Sequence, residues 1–349
     1  MTSLEARNRR FLTDLFAGPF RGHGIIVCAS SEDPDHLGDF TISSRPVSDW
    51  VPMHLAQYRA RVRSLETLQD DAVPYVSLGT NTGLFAAAFG CPIHVYEGLE
   101  TNAAARPIVR TASEADRLAI PSLDAPGLAR VFELARLLRR ELGPDVPISV
   151  PDIQSPFDVA ALIWNKEDFY LAVIDDPEAV KRLVGKCGDL LVRFLTTFAR
   201  EVGEVNFCHC PYAWAPPRLG CWLSEDEAGC LSPRMFDEFC MPWLLDLSAK
   251  FGGLFMHCCA AADPHYGSFR RIPNLRGLNR VFQAPGAGPA IEAFAGRTVL
   301  VQAWSDDDFM ARMLDLARPE SRFLFNIDPG PEADVMARYE LLRARCPRP

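Results

Sequence analysis

The stretch Gly252-Gly253-Leu254-Phe255-Met256-His257-Cys258-Cys259-Ala260 decides how the rest of the chain is read. A short apolar run rises from a glycine pair and ends in His-x-Cys. Side chains alternate along a strand, so a buried strand over 253–256 sends His257 and Cys259 out of its end on one side. An imidazole and a thiolate side by side are half of a zinc site. The same residues also suit plain packing, because cysteine is among the most buried residue types.

Outward from this stretch, short apolar runs alternate with longer amphipathic ones. Strands are expected over 24–29, 75–78, 146–153 and 205–208 before it, and over 275–281, 298–303 and 323–327 after it. Helices are expected over 50–68, 128–142, 177–202 and 331–345. Another starts at Pro233 with Ser232 as its N-cap and runs to about 251. Strands separated by helical patterns make βαβ units and a parallel sheet. No strand opens into Gly-x-Gly-x-x-Gly, which argues against a dinucleotide-binding sheet. About eight strand–helix units closed on themselves give a (β/α)8 TIM barrel, an α/β fold whose site lies at the C-terminal ends of the strands. The whole chain, 1–349, reads as one barrel domain, with 30–72 as an insertion or cap over its mouth.

The composition agrees with a globular chain. Of its 349 residues, 48% are hydrophobic and 23% charged. The net charge of -9 argues against a nucleic-acid partner, which wants a basic face. No apolar run reaches the ~18–20 residues that span a bilayer. Eleven cysteines follow a polar N-terminus without a signal peptide, so a reducing, cytoplasmic setting with free or metal-bound thiols is expected.

The strand ends carry the residues a pocket needs, polar groups set in apolar walls. Asn81 follows the second strand and Gln154 the third. Tyr212 and Trp214 follow the 205–208 run, with Cys208, His209 and Cys210 between. Glu225 and Asp226 come next, then Asn279. Gln302 and Trp304 end one late strand, and Asn326 and Asp328 end the last. Each has a plain alternative: Glu225 and Asp226 suit a solvated acidic loop, Cys-His-Cys suits packing, and Tyr212, Trp214 and Trp304 suit core or lid.

In order, these segments resemble the uroporphyrinogen decarboxylase superfamily. The resemblance rests on Glu225-Asp226, on Leu231-Ser232-Pro233-Arg234-Met235-Phe236-Asp237-Glu238-Phe239 with Pro242, and on Gly252-Gly253 with His257-Cys258-Cys259. Asp175-Asp176-Pro177-Glu178 and the 75–90 segment are similar to the family's helix start and second strand with its loop. It covers roughly 70–345 and implies the same (β/α)8 barrel. One branch of the family decarboxylates tetrapyrroles without a metal, using an Arg-Gln-Ala-Gly-Arg loop and a late His. The chain lacks that loop, and Asn326-Ile327-Asp328-Pro329-Gly330 stands where the His would be. The other branch moves methyl groups between a corrinoid protein and a thiol, on zinc held by His-x-Cys and a late Cys. His257 and Cys259 match the first two ligands. No late Cys is present; Asp328 is the nearest substitute.

The expectation from this resemblance is a zinc-dependent methyltransferase, with metal ligands His257, Cys259 and Asp328. Asp226 and Glu225 would be catalytic. Asn81, Gln154, Tyr212, Trp214, Gln302, Trp304 and Asn326 would bind substrate. The expected partners are a small-molecule substrate, a corrinoid protein and a second copy of the chain in a homodimer. A tetrapyrrole decarboxylase and a non-catalytic ligand-binding barrel are the alternatives.

Overall fold

In the computed structural model, which describes residues 2–29, 37–96, 103–282 and 285–347, helices and short strands alternate along the chain. The strands are β1 (Gly24–Val27), β2 (Ile93–Val95), β3 (Ala103–Ala105), β4 (Ile148–Ser149), β5 (Val205–Asn206), β6 (Cys221–Ser224), β7 (Leu254–Cys258), β8 (Leu275–Arg280), β9 (Val299–Gln302) and β10 (Phe323–Ile327). β2 and β3 form a separate antiparallel pair. Six others make one sheet in the order β1-β10-β9-β8-β7-β6, and every pairing in it is parallel.

The ring closes through lighter links. Ser224 at the end of β6 bridges Gln154, β4 pairs with β5, and Val76 bridges Ile148. The last gap is crossed by carboxylates. Asp71 accepts the N–H of Ile25 at 2.9 Å and Asp70 that of Val27 at 2.7 Å, while the Asp71 N–H donates to the Ile25 carbonyl at 2.9 Å. These links complete a (β/α)8 barrel, as expected.

Several boundaries differ from the sequence reading. The 205–208 run contributes only Val205 and Asn206, which lie beside β4. The barrel strand is β6, Cys221–Ser224, whose four residues run straight into an acidic turn and leave no readable alternation. The 75–78 run is held by one bridge at Val76 and by the Leu78 N–H on Ser149 Oγ at 3.0 Å. Pro177–Val202 is one continuous helix. The helix after Ser232 is two, Pro233–Phe239 and Met241–Phe251, with Pro242 in the first turn of the second. Of the 30–72 segment, 30–36 lies outside the described residues. The remainder packs on the helix Pro126–Leu142, where Arg130 bonds the Phe40 carbonyl, and Asp39 reaches Asn81.

Two apolar layers hold the barrel. Ile26, Trp222, Phe255, Val299, Val301 and Leu324 fill the lumen, and Leu12, Leu15 and Phe16 of the helix Ser3–Ala17 plug its N-terminal end. Phe16 meets Phe255 edge-on at 5.0 Å. The larger layer lies between strands and outer helices. Glycine sets the start of the β6–β7 pairing. Gly220 (φ 137°) and Gly253 (φ 158°) face each other so closely that a Cβ on Gly220 would sit 2.4 Å from the Gly253 backbone. Among the described residues no helix is long and apolar enough to cross a membrane.

The Asp71 carboxylate also takes Arg343 Nη2 at 2.5 Å and is 1% exposed. Removing one partner of a buried pair strands the other charge. Asp71→Ala should therefore cost about 3 kcal/mol, read as a lower urea midpoint at unchanged slope.

Candidate functional site

The parallel register decides which side chains share the lumen at the C-terminal rim. Ser224 stands opposite His257, His257 opposite Asn279, and Asn279 opposite Val301. Phe255 and Val301 fill the lumen, so Ser224, His257 and Asn279 also point inward. Cys259 follows two residues after His257 on the same side, and Asp226 reaches in from the turn after β6. One ligand atom from each of Asp226, His257 and Cys259 lies within 4.8 Å of the others.

Hydrogen bonds fix this triad closely. Asn279 Nδ2 donates to the Val301 carbonyl at 2.7 Å, so Oδ1 is the face it offers His257. His257 Nδ1 lies 2.5 Å from that oxygen and must carry the proton. The lone pair is then on Nε2, 2.9 Å from Cys259 Sγ. The Cys259 N–H donates to Asp226 Oδ1 at 2.6 Å. A ring nitrogen with its other N–H held by an oxygen is how proteins present imidazole to a metal.

The electrostatics also suit a cation. Burial, and then Asp226 beside it, push the Cys259 thiol up to about 11. Burial is also the main cause that raises Asp226. Burial lifts Asp152 to about 6, although Gln154 donates to its Oδ1 at 2.5 Å. Cys259, His257 and Asn279 stand in line like a nucleophile, base and orienting amide. A thiol held this far up is not a ready nucleophile, however. Carboxylate oxygen, imidazole nitrogen and thiolate sulfur are all acceptable zinc ligands, and a cation relieves the repulsion between the two anionic ones. The residues fit the metal.

The expected site residues divide. His257 and Cys259 stand side by side, His257 Nε2 lying 2.9 Å from Cys259 Sγ. Asp328 is not in that group: its charge acts on Cys28, and the third side chain within reach is Asp226 from the neighbouring strand end. Glu225, expected beside Asp226 as catalytic, follows the inward Ser224 and so faces the helix layer. It is 1% exposed there, with Asp158 raising it further after burial itself. Gln302 pairs with Phe325 on the outer face and donates to the Ala303 carbonyl. Trp214 belongs to the apolar filling, with the Arg9 guanidinium 4.8 Å from its ring. Asn81 is occupied by Asp39 and the Gly83 N–H. Tyr212 stacks on Tyr75 at 4.9 Å, under Arg61. Gln154 holds Asp152, and Asn326 donates to the Tyr212 carbonyl.

Trp304 does stand at the site. Its ring meets His257 edge-on at 5.6 Å, and the residue is 51% exposed. Its φ of 53° is unusual for a bulky side chain and holds the indole over the imidazole. Asn279, whose role the sequence did not signal, and Asp158 complete the surroundings.

Residues 76–216 match the family "Uroporphyrinogen decarboxylase (URO-D)". That match spans less than half of the chain and lies over the part of the barrel that runs from the Val76 bridge to the loop before β6. Its fold agrees over almost the whole length with a solved "methyltransferase from Methanosarcina mazei". The TM-score is 0.67 at 14% identity, covering 97% of this chain and 98% of that one. No curated protein matches it by sequence.

The thiol chemistry is directly checkable in metal-free protein. Below about 11 the thiolate fraction of Cys259 rises tenfold per pH unit. Alkylation of this exposed thiol should be slow at neutral pH and climb by about that factor through pH 8 to 10. Asp226→Asn removes a charge that raises it and should speed the reaction at fixed pH. Peptide-resolved mass spectrometry separates Cys259 from the other ten cysteines.

Proposed function

We propose that this protein belongs to the uroporphyrinogen decarboxylase superfamily and is a zinc-dependent methyltransferase, moving a methyl group between a corrinoid, or another small methyl donor, and a thiol. The observation that carries the reading is the convergence of His257 Nε2, Cys259 Sγ and an Asp226 oxygen at the barrel rim, within 4.8 Å of one another. The printed name of the structural neighbour agrees with the reading, though at 14% identity that likeness speaks for the fold alone.

His257, Cys259 and Asp226 would hold the ion and leave a fourth position open. Zinc bound there lets a coordinated thiol lose its proton near neutral pH. Asn279 keeps the His257 proton on Nδ1, so that Nε2 stays available. Burial lifts Asp152 to about 6, so it can take up and release a proton near neutral pH. Its Oδ2, free of the Gln154 bond, would take the proton the thiol gives up. Trp304 covers the His257 edge and narrows the approach of water. The methyl donor, offered by a corrinoid protein docked on the rim, would approach past this indole.

Decarboxylation of a tetrapyrrole is the weaker reading. The arginine loop and the late His are missing from the sequence. The rim carries Asp152 and Asp226, which repel a polycarboxylate substrate.

Freshly purified, tag-free protein should contain about one zinc per chain, the load of one such site. His257→Ala, Cys259→Ser and Asp226→Ala should each lower that content sharply while leaving the circular dichroism unchanged. Zinc-loaded protein should move the methyl group of methylcobalamin to a small thiol, and a chelator should abolish the transfer. A metal-free preparation with full transfer activity, or CO2 release from uroporphyrinogen, would overturn the proposal.

A further inference from the structure

Two buried ionic side chains that are not themselves donors grip the two turns that carry the triad. Asp158 begins the clamp on the β6 side. It lies in the helix Pro156–Ile163, is 3% exposed, and accepts the backbone N–H of Asp226 at 2.7 Å and of Glu227 at 3.1 Å. Its own N–H is tied to Ser155 Oγ at 3.0 Å, so the carboxylate cannot drift along the helix. Through these bonds Asp158 fixes the backbone whose side chain is Asp226.

Arg280 does the same on the β7 side. It ends β8, is 1% exposed, and donates from Nη1 to the Ala260 carbonyl, one residue past Cys259. Nη2 is held by Asp263 at 3.0 Å, which orients the guanidinium. A guanidinium sealed at the barrel wall is costly unless paired and hydrogen-bonded, and here its pairing falls on the turn that follows Cys259.

We infer that Asp158 and Arg280 are positioning residues of the metal centre. They hold the Asp226 and Cys259 turns at the separation a single ion needs, so that binding does not have to order both turns first. The inference rests on the zinc reading above. The two ligand-bearing turns follow different strands: Asp226 caps the short 3-10 turn Glu227–Cys230 after β6, and Cys259 lies just past the end of β7. Without a clamp each is free to relax independently, and the ion must then supply the ordering. Outer partners of this kind typically govern metal affinity by about 10–100-fold when removed.

The test uses the full-length, metal-free chain titrated with Zn2+ against a chromophoric chelator, and separately with Co2+, whose thiolate charge-transfer absorption reports Cys259 coordination. Wild type, Asp158→Ala, Asp158→Asn, Arg280→Gln and Arg280→Lys are compared. The expected result is one ion per chain throughout, with dissociation constants raised about 10–100-fold for Asp158→Ala and Arg280→Gln. Asp158→Asn keeps one acceptor and Arg280→Lys keeps the cation, so both should fall between. Thermal unfolding of the metal-free forms is followed alongside. A purely structural role would lower those transitions and leave the affinities of the folded variants unchanged. Wild-type affinity in all folded variants, with wild type itself binding, would overturn this inference and leave the zinc reading intact. Absence of binding by wild type would overturn both.

Discussion

A single bulge determines what faces His257. β7 and β8 begin paired at Leu254 and Leu275, but one step later Phe255 stands opposite Gly277, so Arg276 is passed over. Without that extra residue, continued pairing would put Leu278 opposite His257. With it, Asn279 stands there. A one-residue change of register exchanges the two faces of a strand, so the bulge converts an apolar neighbour into a hydrogen-bonding one. Gly277 makes the shift feasible, because a Cβ there would lie 2.7 Å from the Phe255 ring. The proton on Nδ1 and the free Nε2 of His257 follow from this register.

The acidic residues around the rim form two sets with different tasks. Glu225 and Asp158 lie behind the strands and share a dry space, where two full charges would be costly. Asp158 accepts two backbone N–H groups, whereas neither Glu225 oxygen meets a donor in bonding geometry. The proton of the pair therefore belongs on Glu225. Asp226 and Asp152 face the lumen and remain available to ions and protons. The alternation of one short strand separates the two sets, sending Glu225 outward and Asp226 toward His257.

Much of this was legible in the sequence where local pattern and tertiary role coincide. The glycine pair, the apolar run and His-x-Cys marked β7, and the Ser-Pro start at Ser232 marked a helix whose cap accepts the Met235 N–H. The alternation of strands and helices marked the barrel. Legibility failed where pairing partners decide the outcome. Cys221–Ser224 is too short to show a period, and Leu275 and Leu278 face the same layer although three residues apart, because the bulge lies between them. Gln302 reads as a rim residue from its place at a strand end, yet only its pairing with Phe325 shows that it points away.

The same geometry explains why Asp226, rather than Asp328, stands beside His257 and Cys259. β6 and β7 are neighbours in the sheet, so their ends lie about 5 Å apart, within reach of a short carboxylate. β10 lies three strands further along the ring from β7, an arc of about 14 Å at that spacing. A donor from β10 would have to cross the lumen, which is beyond a short aspartate side chain, and the Asp328 charge acts instead on Cys28. A third ligand drawn from the adjacent strand end also leaves the lumen centre clear. In a barrel whose interior below the rim is filled by Trp222, Phe255 and Leu324, that clear space above the triad is where the thiol and methyl donor of the proposed reaction would have to meet.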